Sequence, residues 1–149
     1  IQGAFLAQYN VLRKKGHSPC EAYHETIEEA LQSLYPLINE KGMDWLYKNC
    51  STTAQRGALD WAPKFEEKLT PLIEECYENV KNNTEVKRVI ECNSNENYRE
   101  ELDKELDLIK NQEMWDVGNQ IRKIKKEINT HNCTNNYRTY RYNGVYYDN

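Results

Sequence analysis

The chain has 149 residues, enough for one domain with a hydrophobic core of its own. Hydrophobic residues make up 38% and charged residues 30%, a balance typical of helices with large polar faces. The formal net charge is -4, and acidic and basic residues are mixed along the chain, which argues against a nucleic-acid groove. No apolar run reaches the roughly 20 residues that a membrane span needs. Five cysteines without a CxxC pair indicate neither a zinc site nor a disulfide framework.

The first half of the chain shows helical periodicity interrupted by glycines. A short apolar stripe ends at Gly16, and the residues 18–21 then offer a capping box with a proline in the first turn. The helix that follows is predicted to kink at Pro36 and to end at Gly42, with one short helical turn after it. Its apolar stripe has a period of 3.6 residues and comprises Tyr23, Ile27, Ala30, Leu31, Leu34 and Ile38.

The second half contains three further helical stripes and no strand pattern. We expect a break at 60–63, a long helix over 65–80 that is kinked at Pro71, and an end at Asn82-Asn83. Two more stripes cover 98–109 and 115–128. The sequence therefore predicts an all-α domain.

The last 21 residues have a different character. Residues 129–149 are rich in Asn and Tyr and carry no helical stripe. Asn143-Gly144 would suit a hairpin turn, but we expect a disordered tail. We therefore divide the chain into a helical domain, 1–128, and a tail, 129–149.

Two groups of side chains are candidates for chemistry. Glu25 and Glu29 are four residues apart on a predicted helix, so they share a face on which a divalent cation such as Mg²⁺ could bind. A solvated helix face is the simpler interpretation of such a pair. Ser51 lies in a hydroxyl-rich junction, where it could bind a substrate oxygen or simply cap a helix. The six glycines form no GxG, so no dinucleotide-binding turn is present.

Two long stretches resemble the knotted, C-terminal helical domain of ketol-acid reductoisomerase in its fungal and plant forms. One stretch is 11–37, which contains the Glu25 and Glu29 pair, and the other is 50–63, which begins Cys50-Ser51-Thr52-Thr53. Shorter matches follow at 98–102 and 114–118. The similarity extends from the first residue to about residue 126, and the family's N-terminal Rossmann domain has no counterpart in the chain.

The resemblance implies a reaction and a set of site residues. The family converts 2-acetolactate to 2,3-dihydroxyisovalerate, in valine and isoleucine biosynthesis, by Mg²⁺-assisted alkyl migration and then reduction by NADPH. Its metal ligands fall on Glu25 and Glu29, with Glu29 also catalytic, and its substrate contacts fall on Ser51 and Ala54. Because NADPH binds the Rossmann domain, no cofactor-binding residue is expected here, and the chain alone should be inactive.

The resemblance also implies partners and a location. The family's helical domains pair, so we expect a homodimer through this domain, with a 2-acetolactate-type substrate and without nucleic acid or membrane. Fungal forms point to mitochondria, with plastids or the cytoplasm as the other locations. The alternative function is a non-enzymatic helical interaction module derived from the enzyme.

Overall fold

The computed structural model describes the backbone of residues 1–131 and the side chains of residues 1–126. Every regular element in that range is helical, which confirms the all-α prediction. Two π-helical segments, His24–Glu28 and Ala30–Leu34, join α2 to α3, so residues 19–41 form one uninterrupted helix, called here the 19–41 helix. The α-helices are α1 Gln2–Lys14, α2 Pro19–Tyr23, α3 Tyr35–Lys41, α4 Met43–Asn49, α5 Thr52–Lys81, α6 Thr84–Asn93, α7 Tyr98–Lys110 and α8 Glu113–His131.

The 19–41 helix begins and ends where the sequence indicates. Ser18 Oγ accepts the Glu21 backbone N–H at 3.2 Å, and the Glu21 carboxylate accepts the Ser18 N–H at 2.8 Å, which confirms the capping box. Gly42 adopts φ +88°, a conformation that L side chains rarely adopt, and it separates α3 from α4. The π-helical winding was not predicted, because a stripe of period 3.6 also fits a uniform α-helix.

The hydrophobic core lies between α1, the 19–41 helix and α8, which together form the three-helix core. α1 packs against α2 and the first π-helical segment, and α2 packs against α8. Gly118 permits a close approach of α8 to α2, because a Cβ there would lie 2.5 Å from Oη and 2.6 Å from Cζ of Tyr23. The buried apolar residues of this core are Phe5, Tyr9, Ala22, Tyr23, Ile27, Met114 and Ile121.

A polar cluster ties α1 to the start of α8. The Glu113 carboxylate accepts a hydrogen bond from the Tyr9 hydroxyl at 2.7 Å and two from the Arg13 guanidinium, at 2.8 and 3.1 Å. Hydrogen bonding from Arg13 lowers the pKa of Glu113. Burial, together with Glu113, raises the pKa of Tyr9 to about 12. The cluster thus favours the ionised form of Glu113 and the protonated form of Tyr9.

The helices α5 to α7, called here the α5–α7 arm, contain no buried residue. The predicted break at 60–63 is wrong, because α5 runs without interruption through Pro63 and Pro71. Each proline removes one backbone hydrogen bond, and the exposed setting lets water replace the lost donor. The helix α6 lies in a segment for which no element is predicted above, although Val86, Val89 and Ile90 have helical spacing.

Two further predictions concern the end of the chain and membranes. The helix α8 is described as far as His131, so it includes the first three residues of the predicted tail, 129–131, and the remainder of that tail lies outside the described residues. Within the part of the chain that the structure describes, no helix is long and apolar enough to cross a membrane.

Candidate functional site

The structure brings Glu25 and Glu29 together on the π-helical part of the 19–41 helix. Glu25 lies within the first π-helical segment and is exposed, whereas Glu29 directly follows that segment and is partly buried. Burial, and then the charge of Glu25, raise the pKa of Glu29. The two carboxylates are therefore close enough to repel each other, which a bound cation would relieve. π-Helical turns are rare and occur frequently at functional sites.

The donor chemistry of this pair fits part of a Mg²⁺ site. Mg²⁺ prefers oxygen ligands, and proteins commonly supply one or two carboxylates and leave the other positions to water and substrate. Among the described residues, no group of three or more His, Cys, Asp or Glu side chains could hold a metal ion. A metal ion held by Glu25 and Glu29 would therefore take its remaining ligands from outside this pair.

Ser51 and Ala54 lie together at the start of α5. Ser51 is the N-cap of this helix, and its Oγ accepts the Ala54 backbone N–H at 3.2 Å. Both residues are exposed. Because the hydroxyl accepts in this bond, its own hydrogen remains available to another acceptor. The structure does not join this pair to the glutamates, since α5 packs mainly against α4 and α6.

Glu28, for which the sequence pattern predicts no role, lies between the two candidate ligands. Glu28 is 6% exposed and is the only buried charged side chain among the described residues. It forms an ion pair with Lys125 of α8. In a uniform α-helix, residue 28 would lie about 140° around the helix axis from Tyr23. The apolar stripe therefore does not indicate that both residues face α8. The π-helical bonds, which join residues five apart, bring Tyr23 and Glu28 to the same side.

Sequence comparisons identify relatives over most of the chain. Residues 1–127 match the family described as ketol-acid reductoisomerase, C-terminal domain. The mitochondrial ketol-acid reductoisomerase of Saccharomyces cerevisiae is 59% identical over 127 residues, which are 85% of this chain and 32% of that protein. The ketol-acid reductoisomerase (NAD(+)) of Desulfosudis oleivorans is 57% identical over 127 residues, 85% of this chain and 36% of that protein. The chain spans about a third of the length of these relatives.

The plant relatives match a shorter part. The chloroplastic ketol-acid reductoisomerase of Pisum sativum is 46% identical over 65 residues, which are 44% of this chain and 11% of that protein. The similarity to the fungal protein is therefore both longer and higher.

Proposed function

Because the chain belongs to the ketol-acid reductoisomerase family through its C-terminal domain, we propose that it is the metal- and substrate-binding part of such an enzyme. The substrate is a 2-acetolactate-type acid, which undergoes alkyl migration and then reduction to 2,3-dihydroxyisovalerate in valine and isoleucine biosynthesis. The observation that carries the proposal is the Glu25 and Glu29 pair. Their carboxylates lie on one π-helical turn and interact electrostatically, at the positions of the family's acidic motif.

The described side chains have distinct roles in this proposal. Bound Mg²⁺ supplies Lewis acidity that polarises the carbonyl and hydroxyl of the substrate together. Glu25 and Glu29 hold the metal, and Glu29, whose pKa is raised by burial, can also accept or release a proton at its carboxylate. Ser51 donates its free hydroxyl hydrogen to a substrate oxygen, while its Oγ continues to accept the hydrogen bond from the Ala54 backbone N–H. Ala54 offers a small side chain beside the substrate.

The reductant binds outside these 149 residues, whose glycines form no dinucleotide-binding turn. We propose NADPH as in the wider family, although the Desulfosudis relative bears NAD(+) in its name. The chain alone is then unable to complete the reaction. The names of the Saccharomyces and Neurospora crassa relatives include "mitochondrial", and we propose the same location here.

Titration of the full chain with Mn²⁺, a spectroscopic substitute for Mg²⁺, tests the metal site. Glu25→Gln and Glu29→Gln should each weaken binding about tenfold or more, because each removes a charged oxygen ligand. Affinity should rise with pH through the raised pKa of Glu29, since only the carboxylate form binds, and Glu29→Gln should abolish that component. Electron paramagnetic resonance of free Mn²⁺ measures both effects.

Glu40→Gln is the matched control, because Glu40 is an exposed carboxylate farther along the 19–41 helix. Its Mn²⁺ affinity should equal that of the parent chain. Equal binding by the parent, Glu25→Gln and Glu29→Gln would contradict the metal site. That result would favour the non-enzymatic interaction module, which keeps the fold without the chemistry.

The apolar face of the arm supports the further proposal that two copies of this chain associate. Leu72 and Ile73 are 58% and 64% exposed, and they belong to a larger set of exposed apolar side chains. Exposed apolar surfaces of this extent usually mark interaction sites. The set comprises Phe65, Leu69, Leu72, Ile73, Tyr77 and Val80 of α5, Val86, Val89 and Ile90 of α6, and Leu102, Leu106 and Leu108 of α7.

Sedimentation over a range of concentrations tests this association. The chain should sediment as a dimer, and Ile73→Asp should raise the dissociation constant at least about tenfold, because it buries an unpaired charge in the interface. Lys64→Asp, on the polar side of the same helix and away from this apolar face, is the charge control. A monomer at every accessible concentration would contradict the proposal.

A further inference from the structure

Glu28 is buried on the same helical turn that carries the proposed metal ligands. Its side chain is enclosed beside Ile27, whereas Glu25 and Glu29 on either side of it are more exposed. A carboxylate without a partner is costly to bury, and a partner on another helix fixes how the two helices face each other. Lys125 of α8 is that partner.

A second polar contact from α8 acts on the same side of the 19–41 helix. The Arg122 guanidinium donates to the Tyr23 hydroxyl at 3.2 Å. Arg122 and Lys125 are three residues apart on α8, so they share a face of that helix. Tyr23 and Glu28 are five residues apart, which is one hydrogen-bonded repeat of a π-helix. Two contacts with α8 therefore act on the π-helical turn, through Tyr23 and Glu28, while Glu25 and Glu29 remain more exposed than Glu28.

From this geometry we propose that Glu28 and Lys125 are positioning residues, whose ion pair sets the rotation of the π-helical turn so that Glu25 and Glu29 meet the metal together. The inference rests on the proposed function, in which these two glutamates are metal ligands. In this proposal neither Glu28 nor Lys125 is a ligand of the metal or a contact of the substrate. The ion pair acts on Glu25 and Glu29 through the helix backbone. Groups around a metal site commonly orient the ligands in this indirect manner.

Mn²⁺ titration of the full 149-residue chain tests the positioning role. Lys125→Met should weaken binding about tenfold, because the unpaired Glu28 carboxylate turns toward solvent and rotates the ligands with it. Lys125→Arg, which keeps the ion pair, should remain within about twofold of the parent. Lys123→Met removes an exposed charge from the same helix and should bind like the parent. Equal affinities for Lys125→Met and the parent would overturn the proposal.

The double variant Glu28→Met/Lys125→Met guards against a simple loss of folding. Replacing a buried ion pair by apolar side chains is often neutral for stability, so this variant should fold. Its Mn²⁺ affinity should nevertheless stay about tenfold below that of the parent, because the specific pairing is gone. A folded double variant that binds like the parent would show that packing alone positions the ligands, and the inference would be wrong.

A measurement without metal separates this inference from the proposed function. The backbone amide resonances of residues 24–29 should shift in Lys125→Met and should stay in place in Lys125→Arg and Lys123→Met. If they shift but the parent binds no Mn²⁺, the metal site fails while the control of the turn by Lys125 stands. If the parent binds Mn²⁺ through Glu29 but the resonances do not move in Lys125→Met, only the positioning role fails.

Discussion

The three-helix core and the α5–α7 arm use similar amphipathic helices in different ways. In the core, apolar residues of α1, of the first half of the 19–41 helix and of α8 face one another, and Ile27 is fully enclosed. In the arm, the apolar stripes are as regular, but Ile73 remains 64% exposed. Amphipathic periodicity therefore creates an apolar face without specifying what covers it.

The two regions also differ in their polar contacts. In the core, polar contacts join helices that are far apart in the sequence, as in the Glu113 cluster and the Glu28–Lys125 ion pair. The ion pairs described in the arm are local, between residues one to four apart, such as Arg56–Asp60 and Lys81–Glu78. Local pairs on exposed surfaces stabilise a helix by only about 0.3–0.5 kcal/mol. The long-range contacts of the core thus fix how its helices pack together. The ion pairs of the arm stabilise only the individual helices that contain them.

Matched isoleucine-to-alanine substitutions should give the largest difference between the two regions in the loss of unfolding free energy. Ile27→Ala should destabilise the chain by about 2–5 kcal/mol, because it leaves a cavity in a buried site. Ile73→Ala should change stability by no more than about 0.5 kcal/mol at concentrations where the chain is monomeric. Urea unfolding followed by circular dichroism measures both values. Equal losses would show that the arm is buried against the rest of the chain in solution.

Matched glycine-to-alanine substitutions should change the stability of the two regions by smaller amounts and in opposite directions. Gly118→Ala should destabilise the core by about 1–3 kcal/mol, because its Cβ would overlap the Tyr23 ring. Gly57→Ala should stabilise α5 by about 0.5–1 kcal/mol, since no atom lies within 4 Å of its Cβ and alanine favours helix. Amide hydrogen exchange reads the two regions separately. A stabilising Gly118→Ala would contradict the close contact between α2 and α8.

The proposed site draws on both regions. Glu25 and Glu29 lie on the well-packed 19–41 helix, whereas Ser51 and Ala54 lie at the start of the arm. Metal ligands need fixed positions, and a helix that packs against α8 would provide them for a metal bound by the two glutamates. The exposed start of α5 must come close to the glutamates for one substrate to contact all four residues. The position of the arm relative to the core is therefore decisive for the proposed function.

By itself, the sequence determined the all-α class, the capping box at Ser18, the helix ends at Gly16 and Gly42, and the family. These features depend on neighbouring residues or on long ordered motifs, which can be read directly along the chain. The π-helical winding and the burial of Glu28 were decided by tertiary structure. The continuity of α5 through two prolines follows instead from the exposure of that helix, since water replaces the lost hydrogen bonds. Pairing with Lys125, 97 positions away, makes burial of the Glu28 carboxylate possible, and no local pattern encodes such a partner.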